Sequence, residues 1–277
     1  MNYRHIFHAG NFADVAKHLA LLACLAALKR KDAPFVAIDT HAGRGLYDLQ
    51  SPESRKSKES GLGVQKLIRS GFSEPALAGY FSAIGATHPQ PLTHYPGSPL
   101  LIGNALRPGD RAVFIEQVAP EARALQRSIH SAGRVHVRHG DGYLELKGLL
   151  PPPERRGLVF IDPPYEDPDE TRTVLAALQM AVRRWPTGVF LLWYPIISAR
   201  ARHAMHVRAG ALRIPKTLAL DIAVRADDAG VGLAGSGMLL INTPYGVEHQ
   251  LREQYDALHR HLAGAGGYVE IQTLCPE

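Results

Sequence analysis

Seven short apolar runs of strand length recur along the chain, and segments with helical spacing lie between most of them. Most runs are apolar on both faces, which is typical of strands in a buried parallel sheet. Their alternation with helices predicts an α/β domain built on a mostly parallel sheet. The predicted strands are 35–39, 112–116, 135–139, 158–162, 189–194, 218–224 and 238–242, and the main predicted helices are 12–30, 98–107, 120–133, 170–185 and 248–264.

One segment, 48–95, breaks this alternation. It begins polar and charged, and two short helical patterns follow. A chain of 277 residues can bury one large core, so we interpret 48–95 as a small helical subdomain inserted into a single domain over 1–277. In the helix after the insertion, Ser98 is predicted as the N-cap, with Pro99 at the first helical position.

Composition limits the cellular setting. There is no apolar run of about 18 residues, and the N-terminus lacks the charged-then-apolar pattern of a secretory signal. Cys24 and Cys275 have no C-x-x-C spacing, so neither a disulfide framework nor a thiolate zinc site is supported. We therefore expect a cytoplasmic protein with no membrane segment and no metal. The formal net charge of +5 favours an acidic partner such as nucleic acid, although charge alone does not decide this.

The first predicted strand leads into a turn, D-T-H-A-G-R-G, that contains Gly43 and Gly45 where a doubly wound sheet forms its ligand crevice. A lone G-x-G fits a structural turn equally well. Glu116 ends the second strand of the core, placed to accept hydrogen bonds from ribose hydroxyls. In a dinucleotide-binding motif, roughly 20 residues separate the glycines from the acidic residue, and Glu116 follows Gly45 at a much greater spacing. If 48–95 is treated as an insertion and left out of the count, the usual spacing is restored. After the third strand, the loop H-G-D-G offers Asp141 to an adenine amine, with a plain tight turn as an equal alternative.

The fourth strand, L-V-F-I-D, ends in Asp162 and runs into P-P-Y. Proline fixes φ and has no N–H, so carbonyl groups there stay free to accept hydrogen bonds. The Asp162 carboxylate and the Pro163 carbonyl would converge on one point beside the ring of Tyr165. Two acceptors near an aromatic ring suit the exocyclic NH2 of a flipped adenine or cytosine. The alternative is that D-P-P-Y only ends the strand. The similar N-T-P-Y at 242–245 is a weaker candidate for the acceptor than Asp162, because it has one proline.

These motifs resemble the ribosomal RNA large subunit methyltransferase J family. The resemblance spans nearly the whole chain, and its most specific part is the N-terminal Y-R-H-I-F-H-A-G-N-F-A-D-V-A-K-H. It also includes D-T-H-A-G-R-G, Y-P-G-S-P, G-D-G, I-D-P-P-Y-E, L-W-Y-P and S-G-M-L-L-I-N. It implies the class I S-adenosylmethionine-dependent methyltransferase fold, a Rossmann-like sheet of seven strands with the last antiparallel and a helical insertion after the first strand.

The resemblance also implies a reaction and a set of site residues. S-adenosylmethionine would be the cofactor, the N6 amine of an adenine in 23S ribosomal RNA would be methylated, and the N-terminal helical segment 1–33 would contribute to the active site. Together with the glycine turn, the expected cofactor-binding residues are His18, His41, Gly43, Ser98, Glu116, Asp141, Gly142 and Asp162. The expected catalytic residues are Asp162, Pro163 and Tyr165, and the expected substrate-binding residues are Tyr3, His5, Lys17 and Tyr165.

Two other interpretations stay open at this point. A DNA amino-methyltransferase would share D-P-P-Y, and a catalytically silent RNA-binding chaperone would keep the basic charge. We expect a monomer that holds RNA by its phosphates and exposed bases. Basic residues of the insertion could clamp the RNA or could form a solvated helix face, and these are Arg55, Lys56, Lys58, Lys66 and Arg69.

Overall fold

The structure is a computed structural model that describes residues 4–226 and 232–276. An eight-stranded mixed sheet forms its centre, and two further strands pair as a separate ribbon. The strands are β1 (Val36–Asp39), β2 (Leu46–Asp48), β3 (His94–Pro96), β4 (Arg111–Glu116), β5 (Arg134–His139), β6 (Gly157–Ile161), β7 (Val189–Ile196), β8 (Thr217–Ala223), β9 (Gly235–Ile241) and β10 (Tyr268–Cys275). The α-helices are α1 (Phe12–Lys29), α2 (Pro52–Ser57), α3 (Glu59–Leu62), α4 (Val64–Gly71), α5 (Ala78–Ala83), α6 (Ser98–Ala105), α7 (Ala119–Ser128), α8 (Gly142–Leu149), α9 (Glu170–Arg184), α10 (Ala199–Ala211) and α11 (Val247–Leu262), and His5–Phe7 and Pro75–Leu77 are short 3-10 helices.

The strand order of the central sheet is β10-β8-β9-β7-β6-β1-β4-β5. Strands β5, β4, β1, β6 and β7 pair in parallel. Strand β9 pairs antiparallel with both β7 and β8. The seven predicted runs coincide with strands of this sheet, and the last of them, β9, is antiparallel as expected.

The predicted count of seven strands is wrong by one, because β10 adds an eighth strand. It pairs antiparallel with β8 at the edge of the sheet. Its sequence, Y-V-E-I-Q-T-L-C, mixes polar and apolar residues, and its side chains are exposed or half-buried. An edge strand needs a partner on one side only and commonly carries charged residues, so it lacks the apolar run of a central strand.

Helices cover both faces of the sheet. On one face α1, α6 and α11 contribute to a buried cluster that includes Leu19, Leu101 and Tyr255. On the other face α8, α9 and α10 contribute to a second cluster that includes Val174 and Met205. This layering leaves the carboxyl ends of the parallel strands at one edge of the sheet, where open α/β sheets bind their ligands.

The start of α6 differs from the prediction. Gly97 is its N-cap residue, so Ser98 and Pro99 are the first helical residues and no side chain caps the helix. The Ser98 side chain hydrogen-bonds with Asp39 at the end of β1 instead. The prediction of Ser98 as the N-cap is therefore wrong, because its hydroxyl is engaged by another element.

The insertion, 48–95, packs directly on the N-terminal segment. It contains α2 to α5, and the antiparallel ribbon of β2 and β3 joins its two ends. Its apolar side chains, such as those of Leu67 and Tyr80, belong to the same buried cluster as α1 and α11. A Cβ atom on Gly63 would lie 2.3 Å from the carbonyl oxygen of Gly10. The division into one domain with an inserted subdomain stays a prediction.

The N-T-P-Y segment lies far from Asp162. Because β9 runs antiparallel to β7, its end lies at the opposite edge of the sheet from the carboxyl end of β6. There the Asn242 side-chain amide donates hydrogen bonds to the carbonyl oxygens of Pro186 and Gly188 at 2.7 and 2.8 Å. Asn242 therefore ties two strand ends together in this structure.

Membrane-spanning helices and metal-binding clusters are both absent from residues 4–226 and 232–276. Within them, no helix has the length and apolar character needed to cross a membrane. The same residues contain no cluster of three or more His, Cys, Asp or Glu side chains that could hold a metal ion. Cys24 and Cys275 are both free thiols.

Candidate active site

A cavity of about 480 Å³ lies at the carboxyl ends of β1, β4 and β6, and we call it the first cavity. Its volume is within the range of small-molecule sites. Six of the eight residues predicted to bind the cofactor line it, namely His18, His41, Gly43, Ser98, Glu116 and Asp162. The fold thus brings together residues from segments that lie far apart in the sequence.

The glycine turn and Glu116 are joined by hydrogen bonds. The Gly43 N–H donates to Glu116 Oε2 at 2.7 Å, and the Val118 N–H donates to Oε1 at 2.6 Å. Gly43 has a φ of 64°, a conformation that favours glycine. Burial raises the pKa of Glu116, and the two backbone hydrogen bonds oppose that shift. Each carboxylate oxygen keeps a second lone pair for a further donor, such as a ribose hydroxyl.

His18 and His41 present neutral rings to the first cavity. Burial lowers the pKa of His18 to about 3 and the pKa of His41 to about 4. His18 Nδ1 hydrogen-bonds with the Tyr95 hydroxyl at 2.8 Å, and His41 Nδ1 hydrogen-bonds with the Thr40 hydroxyl at 2.8 Å. Because neither ring is charged at neutral pH, the two histidines do not repel a cationic ligand.

Asp162 ends a row of titratable side chains that reaches back into the N-terminal segment. Its Oδ2 lies 2.6 Å from Lys17 Nζ, which lies 3.0 Å from Asp14 Oδ1. Asp14 Oδ2 lies 3.0 Å from His5 Nε2. The Lys17 ammonium also lies 4.7 Å from the centre of the Trp193 ring. The structure therefore places the predicted substrate residues His5 and Lys17 at or near the predicted catalytic carboxylate.

A second cavity, of about 740 Å³, adjoins this row. Lys17, Asp14 and Trp193 line it, and His5 lines both cavities. Asp162 lines the first cavity and contacts Lys17 of the second, so this ion pair lies between the two cavities. The remaining lining includes apolar Phe12, Leu62, Leu233 and Leu262 and basic Lys66 and Arg225.

Comparison with known proteins identifies the family. The profile described as "Ribosomal RNA large subunit methyltransferase D, RlmJ" matches residues 32–274. The chain belongs to the RlmJ family. Over 100% of both chains it is 34% identical to Ribosomal RNA large subunit methyltransferase J of Escherichia coli (strain K12) and 36% identical to the protein of that name from Haemophilus influenzae. A crystal structure of a Legionella pneumophila protein matches with a TM-score of 0.88 and 32% identity, over 96% of this chain and 98% of that one.

The resemblance inferred from the motifs is therefore confirmed, and the chain is an enzyme of the methyltransferase class. The predicted class I fold is confirmed as well, with the extra edge strand β10. The geometry of this RlmJ-family protein is the basis for assigning roles to individual residues.

Tyr165 is held by Trp193. Its hydroxyl donates to the Trp193 carbonyl oxygen at 2.9 Å, and the two rings meet edge to face with centroids 5.6 Å apart. Tyr165 has a φ of 49°, which is uncommon outside glycine and is often found at functional sites. Among the described residues that line the two cavities, Trp193 is present and Tyr165 is not. Pro163 is buried directly after Asp162. The catalytic and stacking roles of Pro163 and Tyr165 in this RlmJ-family site stay predictions.

Asp141 and Gly142, at the start of α8, are outside the described lining of the first cavity. Asp141 is the N-cap of α8, and its Oδ1 accepts hydrogen bonds from two backbone N–H groups at 2.8 and 3.1 Å. A Cβ atom on Gly142 would lie 2.2 Å from the Thr40 carbonyl oxygen, so glycine lets α8 pack against the end of β1. Their contact with the cofactor stays a prediction. Tyr3, expected to contact the adenine, lies outside the described residues.

Three features of the site were not predicted from the sequence. Asp14 precedes Lys17 by three positions, and this i, i+3 spacing on a helix was the signal available. Trp193 belongs to the L-W-Y-P motif, but its contact with Lys17 depends on how β7 and α1 pack. The Arg44 guanidinium donates two hydrogen bonds to the Glu121 carboxylate, at 2.7 and 2.8 Å, on the lining of the first cavity.

Proposed function

We propose that this chain transfers a methyl group from S-adenosylmethionine to the N6 amine of an adenine in 23S ribosomal RNA. Its relatives from two bacteria are named ribosomal RNA large subunit methyltransferases, and the chain belongs to their family. The observation that carries the proposal is the position of Asp162, which lines the first cavity and contacts Lys17 of the second at 2.6 Å. A methyl donor in the first cavity and an adenine in the second would meet at this carboxylate.

The first cavity fits S-adenosylmethionine by its charge. The cofactor is cationic at its sulfonium and amino groups and supplies an electrophilic methyl group. Glu116 and Asp162 supply carboxylates to the lining, and His18 and His41 are neutral. Glu116 would accept hydrogen bonds from the ribose hydroxyls, and Gly43 would let the ligand approach the backbone closely.

Asp162 would act on the adenine by accepting a hydrogen bond from its amine. The Pro163 carbonyl would accept the other hydrogen of that amine, which turns the nitrogen lone pair away from the ring and toward the methyl group. The chain then contributes positioning and electrostatic stabilisation rather than a covalent intermediate. The methyl group would pass from the sulfonium to the amine nitrogen and leave S-adenosylhomocysteine, and the amine would lose one proton to solvent during or after the transfer.

The second cavity suits an extruded base. Phe12, Leu62 and Trp193 give it apolar walls, and His5 and Lys17 give it polar groups at the end nearest Asp162. A flipped base is commonly held between apolar or aromatic side chains while its polar edge is hydrogen-bonded. These residue types therefore support adenine as the occupant.

The insertion is our candidate for holding the RNA strand. Of its five basic residues, Lys66 lines the second cavity. The other four are exposed at the surface, and they are Arg55, Lys56, Lys58 and Arg69. Contacts of this kind supply affinity that falls with salt. We propose that these residues orient the RNA over the second cavity.

Two alternatives are less well supported. A DNA substrate is not favoured, because the relatives are named for ribosomal RNA. An inactive RNA-binding chaperone has no need for Asp162 and Glu116 in one cavity, and failure to bind S-adenosylmethionine would favour it. We further propose a monomer that works in the cytoplasm, where ribosomal RNA is made, without a metal ion.

The test is methyl transfer from labelled S-adenosylmethionine to a 23S RNA transcript or to duplex DNA, followed by nucleoside digestion. Label in N6-methyladenosine from RNA is the expected result, and label in DNA alone would overturn the substrate assignment. Asp162→Ala should lower the rate at least about 100-fold, because it removes the acceptor for the amine. Asp167→Ala, in the exposed part of the same loop, is the control and should keep the wild-type rate. An active, folded Asp162→Ala enzyme would contradict the mechanism.

A further inference from the structure

The Lys17 ammonium lies between two carboxylates, and its side chain is almost fully buried. It is 2.6 Å from Asp162 Oδ2 and 3.0 Å from Asp14 Oδ1, and the side chains of Lys17 and Asp14 are only 4% and 1% exposed. Burial works against the charge on Lys17, but the two carboxylates outweigh it and raise the pKa of the ammonium. Lys17 is therefore positively charged and contacts two anionic partners at once, Asp14 and Asp162.

This arrangement creates a competition at Asp162. In the proposed function, Asp162 accepts a hydrogen bond from the adenine amine, whereas here its Oδ2 accepts one from Lys17. An ammonium is a stronger hydrogen-bond donor than an aromatic amine, because charge shortens and strengthens the bond. A carboxylate can accept from more than one donor, but its charge is shared among them, so Asp162 holds and polarises the adenine amine more strongly once Lys17 has shifted toward Asp14.

Asp14 is built to receive the ammonium. It is held in place by the Gly10 N–H, which donates to its Oδ2 at 2.9 Å, and by His5 Nε2 at 3.0 Å from the same oxygen. Its other oxygen, Oδ1, faces Lys17. Burial alone would raise the pKa of Asp14, yet His5 and Lys17 hold it well below its usual value, so the carboxylate stays ionised.

We propose that Asp14 is a positioning residue of the methyl transfer, the second carboxylate that takes Lys17 when the adenine amine arrives at Asp162. This inference rests on the proposed function. Asp14 lines the second cavity, but in this scheme it acts on the reaction through Lys17 rather than through a bond to the adenine amine. Without the charge of Asp14, Lys17 stays on Asp162, and the fraction of enzyme in which Asp162 is available to hold the adenine amine tightly falls. Because apparent affinity scales with that fraction, the effect is a raised KM for RNA.

The experiment compares Asp14→Asn with a matched control, Asp110→Asn. Asp110 is also 1% exposed and also pairs with a basic side chain, Arg107, but it lies before β4, at the opposite edge of the sheet. Asp14→Asn should raise the KM for the RNA transcript about 10-fold or more while the Kd for S-adenosylmethionine stays within about twofold. Asp110→Asn should lower the melting temperature and leave KM unchanged. A wild-type KM in folded Asp14→Asn overturns the proposal.

A double-mutant cycle separates this role from a structural one. In Lys17→Met the ammonium is gone, so adding Asp14→Asn should change KM no further, whereas two independent defects would add. If Asp14→Asn does not fold, a crystal structure of the wild type with S-adenosylhomocysteine and adenosine decides. The Lys17 Nζ to Asp162 Oδ2 distance should exceed about 3.5 Å with Asp14 still in contact. An unbroken Lys17–Asp162 contact beside bound adenosine overturns the proposal. Wild-type enzyme that does not methylate RNA overturns the proposed function instead.

Discussion

At the scale of single residues, the acidic side chains near the first cavity have different surroundings, and these surroundings give them different roles. Asp39 is fully buried at the end of β1, and burial raises its pKa to about 7. Glu116 is bonded to two backbone N–H groups and still faces the cavity. Asp162 faces Lys17. Asp141 is committed to capping α8. Only for Asp141 does a structural role compete with the predicted binding role.

Substitutions of Asp141 can separate these two roles. Asn caps a helix about as well as Asp, so Asp141→Asn should keep the wild-type melting temperature, whereas Asp141→Ala should lose about 1 kcal/mol of stability. If Asp141 also binds the cofactor, Asp141→Asn should weaken S-adenosylmethionine binding several-fold, as measured by calorimetry. Unchanged binding in Asp141→Asn would leave the residue with its capping role alone.

At the scale of elements, the insertion and the N-terminal segment form one unit around the second cavity. The Val64 N–H donates to the Gly10 carbonyl at 2.8 Å, and the Asn11 side-chain amide donates to Glu59 Oε2 at 3.0 Å. Asn11 in turn caps α1, the helix that carries Lys17. The position of the insertion is thus coupled through backbone and cap to the predicted substrate residues.

Gly63 tests this coupling. In Gly63→Ala the new Cβ would lie 2.3 Å from the Gly10 carbonyl oxygen and 2.5 Å from the Asn11 carbonyl carbon, so the start of α1 must shift. We expect kcat/KM for RNA to fall about 10-fold or more, since small displacements of positioned groups are costly to catalysis. Gly61→Ala is the matched control, because no atom lies within 4 Å of its added Cβ. Equal activity of the two variants would contradict the coupling.

At the scale of the whole molecule, buried titratable groups set the response to acid. His18 and His41 bind protons more weakly when folded, so between pH 6.5 and about 4 the unfolded chain takes up more protons and stability falls as the pH is lowered. Asp39 works in the opposite direction, because its raised pKa favours the folded state as the pH falls from about 7. Glu116, whose pKa burial also raises, acts in the same direction as Asp39. We expect the two histidines to outweigh these two carboxyl groups, so the net effect is a loss of stability in acid.

The predicted loss of stability in acid can be checked by urea unfolding at pH 7 and pH 5. The wild type should have a smaller free energy of unfolding at pH 5. His41→Asn removes one of the two histidines. The decrease in its free energy of unfolding between pH 7 and pH 5 should therefore be smaller than that of the wild type by about 1–2 kcal/mol. The same loss in both proteins would show that His41 is not buried in the neutral form.

The sequence by itself determined the features that depend on local pattern. Apolar runs and helical spacing located seven strands of the central sheet and the principal helices, because burial imposes a periodicity that neighbouring residues carry. D-P-P-Y marked Asp162 through the fixed backbone of proline. The insertion was visible because it interrupts the alternation and lengthens the spacing to Glu116.

Only the tertiary structure decided what depends on contacts between distant segments. The Lys17–Asp162 contact joins residues 145 positions apart, and the exchange of partners that we propose for Asp14 follows from it. Strand β10 forms because β8 offers an open edge, and Ser98 turns from capping to Asp39 because α6 packs beside β1. A local pattern predicts which side chains are buried and which are exposed. The tertiary structure decides which distant residues those side chains contact.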